Sequence, residues 1–294
     1  FKKFLYNKGS GTDFLGFDNG FRSLKGGINA VLSPMNNGYD LLNNGLNNDW
    51  TVKDRRPLAD LSLNMNFSRR WVDSSGRTLA ILGTVNYSNS YRTYLDMDNN
   101  LFGAYDMTHD CSNYLRKSID DQYNHSVRIG TMLNFTYIPA SGNSRYEFKN
   151  IFNQLGKDRY TYRKGTDAQS DYEESAEYYY QSRTTYNGQF TGKHILGNTD
   201  KLDWSAGYSY ANRNMPDRRR YTTVLNEETN QLEVENLNEI NREFSRLDEH
   251  ILSANINYQH DFSFGIFTPS LKVGAYTEHR AREYNTCLLY TSDA

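Results

Sequence analysis

The chain has 294 residues and a formal net charge of −2, so it lacks the broad basic surface of a nucleic-acid-binding domain and no nucleic-acid partner is expected. Its mean hydropathy is −0.82, and no run approaches the roughly 18 consecutive apolar residues of a transmembrane helix. Aromatic residues nevertheless make up 14% of the chain, which argues against disorder because disordered chains are poor in aromatics.

Apolar and polar side chains alternate along eight stretches of the sequence, as in DLSLNMNFS (60–68) and LDWSAGYSY (202–210). This period of two predicts β-strands with one apolar and one polar face. In chain order the predicted strands are 60–68, 79–91, 127–137, 145–152, 186–196, 202–210, 252–262 and 271–275.

The connections between these strands alternate in length. Short connections rich in turn residues lie at 72–78, 139–144, 197–201 and around 263–265, and long ones lie at 96–122, 156–178 and 213–248. This layout predicts an all-β, antiparallel up-and-down sheet with two unlike ends, which is the layout of a transmembrane β-barrel. Within the last long connection, the spacing of Leu237, Ile240, Phe244 and Leu247 suggests a short helix.

The two faces of the predicted strands differ in character. In the stretch 202–210, Trp204, Tyr208 and Tyr210 share one face, and Asp203 and Ser209 share the other with Ser205. Aromatic residues near strand ends suit a membrane boundary, so we expect the aromatic face to contact lipid and the polar face to line a wet lumen. A soluble, secreted β-sandwich binding protein would show the same alternation, because one face of each sheet packs into a core.

Three stretches together resemble TonB-dependent outer-membrane receptors of Bacteroidetes. They are GTDFLGFDNGFRSL (11–24), GKHILGNTDKLDWSAGYSYANRNMPDRRR (192–220) and LKVGAYTEHRAREYN (271–285). The first resembles a T-D-W/F-L-G-F-D-D-G-x-R-x-L loop, the second a G-x-H-x-L-G, L-D-W, N-R and P-D-x-R-R series, and the third a K-x-G-x-Y-x-E-x-K-x-R-x-F/Y strand. The motifs occur in the family's order across residues 11–285.

The resemblance implies a barrel of about 22 strands closed by an N-terminal plug. Residues 1–285 would then be part of that single barrel domain, an incomplete fragment of about eight strands forming an open curved sheet, with the plug and remaining strands absent. The implied location is the cell outer membrane of a Gram-negative bacterium. The implied function is energised uptake of a large or scarce nutrient, captured by outer loops and passed through a plugged barrel.

The partners implied by the resemblance are outer-membrane lipid, an unknown nutrient ligand, a surface lipoprotein, and the TonB complex acting through the absent plug region. No enzymatic activity and no cofactor are expected. A passive porin or a barrel adhesin is the main alternative, and the secreted β-sandwich is the next. A barrel enzyme has no support, because no Ser-His-Asp or Cys-His spacing and no Gly-rich phosphate loop stands out.

The final stretch, TCLLYTSDA (286–294), departs from the family pattern. It resembles a translated adaptor tail, so we expect it to be non-native and the last strand to end at Asn285. Without Cys287, a disulfide with Cys111 is not expected.

The sharpest charge cluster is Arg218, Arg219 and Arg220, which follows Pro216-Asp217. Three guanidinium groups suit a phosphate or carboxylate of a ligand, although lipid headgroups or ion pairs with Glu227 and Glu228 would use them equally well. These arginines are outer-loop candidates for substrate binding.

Tyr178 and Tyr179 are the other substrate-binding candidates, within DYEESAEYYY (171–180). Aromatic rings in an outer loop can stack on sugars, but a solvent-exposed extension of a strand is the favoured interpretation.

The remaining polar clusters give weak signals for ion sites. Asp96, Asp98 and Asn100 resemble the start of a calcium loop but lack the glycine and glutamate that such a loop needs. For Asp13 and Asp18 we favour loop packing over an ion site. His194 and His260 fall on the aromatic face near strand ends, which favours a membrane-boundary position. No metal ligand is therefore predicted.

Overall fold

The computed structural model describes residues 3–24, 46–57, 59–169, 171–234 and 240–290. Within these ranges the chain is nearly all antiparallel strand, with one 3₁₀ turn at Asp13–Leu15. The strands are β1 (Phe4–Asn7), β2 (Val52–Arg55), β3 (Leu61–Val72), β4 (Thr78–Asp98), β5 (Leu101–Asp106), β6 (Cys111–Ile138), β7 (Ser144–Asp167), β8 (Tyr172–Leu196), β9 (Asp200–Asn226), β10 (Gln231–Glu233), β11 (Asn241–Asp261) and β12 (Ser270–Tyr290).

Eight long strands form one large open sheet in the order β3-β4-β6-β7-β8-β9-β11-β12, and the short strands β5 and β10 pair with β6 and β9. The long strands correspond one for one to the eight predicted from the alternation, so that prediction is confirmed. Each long strand pairs with the long strand before or after it in the chain, which confirms the up-and-down antiparallel topology. In the described part of the chain, β3 and β12 form the two edges of the sheet.

The short connections lie at one end of the sheet, which we call the lower end. They leave residues 73–77, 139–143, 197–199 and 262–269 outside the long strands. In the first, Asp73 Oδ1 accepts hydrogen bonds from the Ser75 and Arg77 backbone N–H groups, and Gly76 adopts φ +81°. Aspartate and glycine are the residues that such a turn requires, so the predicted turns are confirmed.

The predicted long loops are wrong, because most of their residues belong to strands. β6 has 28 residues and β9 has 27, roughly two and a half to three times the 9–11 residues of a membrane-spanning strand. The upper halves stay paired, with register shifts between β4 and β6 and on both sides of β9, but their faces alternate between tyrosine and charged residues. The apolar period that identifies a half-buried strand is therefore missing there.

The predicted helix at 237–247 is also wrong where the structure describes it. Phe244 and Leu247 lie in β11, where Phe244 pairs with Cys287 and Leu247 with Tyr284 of β12. Leu237 lies outside the described residues. β12 itself continues past the predicted end at Asn285, and Cys287 is buried with Phe244 and Leu24. Cys287 and the exposed Cys111 are both free thiols.

The large sheet has an apolar face and a polar face. Representative members of the apolar face are Leu63, Leu79, Leu133, Phe148, Phe190, Trp204, Ile256 and Val273, and Asn64, Asn134, Lys149, Gln189, Asp203, Asn257 and Lys272 represent the polar face. Successive residues of a strand point to opposite sides, so the register alone assigns these faces. Trp204, Tyr208 and Tyr210 share the apolar face, as predicted.

The lower half of the apolar face is uncovered, and we call it the apolar band. Fifteen of its large side chains are between 37% and 70% exposed: Leu61, Leu63, Met65, Phe67, Leu79, Val85, Leu133, Phe148, Phe190, Tyr208, Leu252, Ile256, Tyr258, Leu271 and Val273. A water-soluble surface rarely leaves so large a contiguous apolar area open.

The upper half of the same face is covered by residues 3–24 and 46–57, which we call the covering layer. In the layer, β1 and β2 form a separate two-stranded sheet. Phe4 is 2% exposed and packs edge-on against Tyr91 and Tyr123 at ring distances of 5.2 and 5.7 Å. β6, β7 and β8 pair without a register shift, so Tyr123 belongs to the same face as the apolar band below it.

Candidate functional site

A β-bulge sets which face of the sheet each of the three consecutive arginines occupies. The register of β8 and β9 shifts between Tyr178 and Ser182, and Asp217 opposite this shift has φ +53°. An extra residue in one strand reverses which face the following side chains occupy. Arg219 therefore points into the covering layer, whereas Arg218 and Arg220 lie on the polar face.

Arg219 and Tyr178 are engaged within the protein. The Arg219 guanidinium is 3% exposed, lies 5.0 Å from the ring centres of both Trp50 and Tyr178, and donates to Asp49 O at 2.8 Å and Asn7 Oδ1 at 2.6 Å. Tyr178 Oη donates to Trp50 O at 2.7 Å. These two predicted substrate-binding side chains hold the covering layer in place.

The favoured interpretation of 171–180 as a solvent-exposed strand extension is correct for the strand and wrong for its exposure. Tyr178 and Tyr180 are 5% and 3% exposed, because the covering layer lies over them. A pattern confined to one strand cannot reveal a layer made by residues more than a hundred positions away.

On the polar face, the upper strands of β7, β8, β9 and β11 form an open groove of about 670 Å³, which we call the upper groove. Its polar lining residues include Thr161, Arg163, Glu173, Ser175, Glu177, Arg218, Arg220, Thr222 and Asn241. Two of the predicted arginines, Arg218 and Arg220, thus line one cavity. Tyr179 does not line the groove, but the guanidinium carbons of Arg159 and Arg218 lie 4.8 and 5.7 Å from its ring centre.

Glu177 is the centre of the charge network in the groove. It accepts hydrogen bonds from Arg218 Nε and Arg159 Nη2, each at 2.7 Å, and Arg218 also contacts Glu243 at 3.2 Å. Burial alone would raise the pKa of Glu177, but the Arg218 hydrogen bond and the charges of Arg159 and Arg218 outweigh it and lower the pKa. The predicted pairing with Glu227 and Glu228 is wrong for Arg218, whose partners are Glu177 and Glu243.

The other wall of the groove is held by Arg163, which forms a two-pronged ion pair with Asp120 at 2.7 and 2.8 Å. Burial raises the pKa of Asp120, and the hydrogen bonds from Arg163 and Asn99 more than reverse this effect. Arg220 donates through Nε to Asn241 Oδ1 at 3.2 Å. The groove therefore offers positioned charges of both signs and hydroxyl groups, which suit a polar ligand with several hydrogen-bonding groups.

The favoured loop-packing interpretation of Asp13 and Asp18 is confirmed. Arg22 donates to Asp13 at 2.7 and 3.0 Å and to Asp18 at 2.7 Å, and its guanidinium carbon lies 4.1 Å from the Tyr180 ring centre. Nearby, burial raises the pKa of Asp158 to about 6, an effect that the positive charge of Arg22 only partly offsets.

The other polar residues singled out in the sequence have structural partners. Asn100 accepts from the Ser118 backbone N–H at 3.1 Å, and Asp96 lies at a register shift within β4 with φ +55°. His194 accepts from Trp204 Nε1 at 2.9 Å. Within the described residues no group of three or more His, Cys, Asp or Glu side chains is arranged to hold a metal ion.

Sequence reasoning missed Glu177, Glu243, Asp120 and Arg163, although they form the ion pairs of the groove. Their signal in the sequence is opposite charge on neighbouring strands. These pairs can be recognised only once the strand register is known, and the bulge in β9 shifts that register against both β8 and β11 near the groove.

No known protein family, characterised protein or solved structure matches this chain. Among the described residues, no helix has the length and apolar character needed to cross a membrane. The fold and the groove thus define a large open antiparallel sheet with one apolar band and one polar, cavity-bearing face.

Proposed function

We propose that this chain is part of a transmembrane β-barrel of the outer membrane and belongs to a TonB-dependent transporter. The observation that supports a membrane location best is the apolar band, in which large side chains of the long strands stay 37–70% exposed at matched heights. Lipid is the solvent in which such a surface costs no free energy.

The dimensions of the band support this proposal. From its lowest row to the row of Tyr186 and Tyr210 it is about ten residues high, which equals the length of a tilted strand crossing a bilayer. Near the lower boundary of the band, one row of paired residues crosses six strands. It contains, in strand order, Trp71, Leu79, Tyr137, Tyr146, Gly192 and Trp204. Amphipathic aromatic rings at this height are typical of a membrane interface.

With the apolar face toward lipid, the polar face lines the lumen and the upper groove opens into it above the membrane. Ligand capture is then assigned to the groove wall of Arg163, Glu177, Arg218 and Arg220. The assignment to TonB-dependent import, with energy from the inner-membrane TonB complex, rests on the motif resemblance across residues 11–285.

The membrane location is tested on the full-length gene product in intact cells, by fractionation followed by external protease. The turn between β9 and β10, residues 227–230, is the expected cleavage point because it is exposed at the upper end. Outer-membrane location with cleavage there supports the proposal. A soluble or secreted product contradicts it and favours a β-sandwich whose apolar band packs against a second sheet.

Energised import is distinguished from passive diffusion by uptake of radiolabelled probes, namely chelated iron, oligosaccharides and peptides, with and without a protonophore. Uptake that stops with the protonophore supports a TonB-dependent transporter. Uptake that continues unchanged favours a passive porin.

A further inference from the structure

The stretch from Gly11 to Arg22 in the covering layer runs across several strands of the large sheet. Phe14 O accepts a hydrogen bond from Tyr87 Oη on β4 at 2.9 Å, and Gly16 O accepts one from Gln154 Nε2 on β7 at 2.5 Å. Its last residue, Arg22, reaches Tyr180 on β8. We call this stretch the belt.

The belt lies at the upper boundary of the apolar band. The strand register places Tyr87 and Gln154 in one row of the apolar face, with Ile129 between them and Thr184 beyond. This row is directly above the row of Phe152, Tyr186 and Tyr210 that ends the band. Going up the sheet, the apolar face thus passes from uncovered to covered at the height of the belt.

The belt is held so closely that its height is fixed. A Cβ atom added at Gly156 of β7 would lie 2.5 Å from the Gly16 Cα atom, so the two backbones touch. Gly16 has φ +80°, a conformation that glycine adopts without strain. Thr12 Oγ1 closes the turn by donating to Phe17 O at 2.7 Å.

The distribution of side chains on the belt is the reverse of that on a loop in water. Asp18 and Arg22 point inward and are 5% and 8% exposed, whereas Phe14, Phe17 and Phe21 are 56%, 38% and 41% exposed. The internal ion pairs satisfy the polar groups, and three phenyl rings stay outside. Loops that lie in a membrane interface have this arrangement.

We propose that the belt is an interfacial anchor whose Phe14, Phe17 and Phe21 rings enter the boundary between lipid headgroups and acyl chains. The occupant is the bilayer that the apolar band crosses, because belt and band form one continuous surface on one face of the sheet. This inference rests on the proposed membrane function and adds that the covering layer contacts the same membrane.

The test uses spin labels on single cysteines of the full-length protein in phosphatidylethanolamine and phosphatidylglycerol vesicles. Cys111→Ser removes the exposed free thiol, and Cys287→Ala is added in any version of the protein that carries this residue. Labels are placed at Phe17 in the belt, at Leu252 in the band as the lipid reference, and at Met107 as the aqueous reference. Met107 is apolar and 90% exposed at the β5–β6 turn, so it controls for exposure and side-chain chemistry together.

The ratio of oxygen accessibility to nickel-complex accessibility rises with depth in a bilayer. We expect Phe17 to give a ratio several-fold above that of Met107 and below that of Leu252. A lipid-like ratio at Leu252 with an aqueous ratio at Phe17 overturns the belt and leaves the membrane function intact. An aqueous ratio at Leu252 overturns both.

A label at Phe17 could itself loosen the belt, so the measurement is repeated at Phe14 and Phe21. Elevated ratios at two of the three positions support the anchor. Aqueous ratios at all three, with Leu252 in lipid, contradict it.

Discussion

The lower and upper halves of the apolar face belong to the same long strands and largely share one register, but they are buried in different ways. The lower half leaves Leu252 and Ile256 of β11 56% and 50% exposed. The upper half covers Arg242 of the same strand to 7% exposure and pairs it with Asp217. The same face of one strand can therefore be uncovered along its lower half and covered by protein along its upper half.

The covering layer contains a buried ion-pair cluster centred on Arg22. Replacing Arg22 should give the largest difference in stability between the covered upper half and the uncovered lower half. Arg22→Met leaves Asp13 and Asp18 without their partner, and breaking a buried pair costs about 3–5 kcal/mol. We expect hydrogen exchange of residues 3–24 to accelerate while the strands of the band stay protected. Arg77→Met breaks the exposed pair with Asp73 and serves as the control, with an expected effect below about 1 kcal/mol.

The lower half is tested by adding a charge. Ala206 and Ser205 are adjacent on β9 but lie on the apolar and polar faces. Ala206→Arg should lower the free energy of unfolding in bilayers by about 2–4 kcal/mol, because the guanidinium enters the hydrocarbon region. Ser205→Arg, facing the lumen, should change it little. Equal effects of the two substitutions would contradict a lipid-facing band.

The close contact between Gly156 of β7 and Gly16 of the belt can be tested by adding a methyl group. Gly156→Ala puts a methyl group 2.5 Å from Gly16 Cα, and overpacking of this kind costs about 1–3 kcal/mol. We expect faster exchange of the Gly16 amide and no change in the lower strands. Gly130→Ala on the polar face meets first the Asn153 side chain, at 3.2 Å, which can move aside, so it should leave exchange in the layer unchanged.

The smallest expected effect is a pH dependence of the covering layer. The folded-state pKa of Asp158, about 6, lies above its ordinary value of 3.8, so protonation of this carboxyl favours the folded state. The contribution is full below pH 4 and is lost as the pH rises through 6. Protection of the layer, corrected for intrinsic exchange, should therefore fall between about pH 4 and 6 and level off above that range. Asp158→Asn should remove this slope, and Asp54→Asn on β2 should keep it.

The lower half was predictable from sequence, and the upper half was not. In the lower halves of the strands, Leu, Val and Phe alternate with Asn, Ser and Lys because one face of the sheet is apolar. This alternation located all eight long strands. In the upper halves, tyrosine and arginine side chains such as Tyr178 and Arg219 face the covering layer, and charged residues such as Glu177 occupy the other face. A strand there has no apolar face that its sequence would reveal. Its burial comes from residues far away in the chain.

The groove was predictable in part. Arg218 and Arg220 stood out as a charge cluster and line the groove, but Arg219 between them is on the opposite face. Successive residues of a strand point to opposite faces, and the bulge at Asp217, whose φ is +53°, reverses the order so that Arg219 points into the covering layer. No local sequence motif predicts this bulge, and Glu177, the ion-pair partner of Arg218, lies 41 positions away in the chain.

The pairing of each long strand with its neighbours in the chain has a consequence for how the sheet is made. Every hairpin closes between residues that are near each other in sequence, so the sheet can grow one hairpin at a time along a moving edge. The belt crosses β4, β7 and β8 and has no complete docking surface until those strands are in register. Docking of the covering layer should thus be a late step of assembly, which follows the pairing of the strands that it covers.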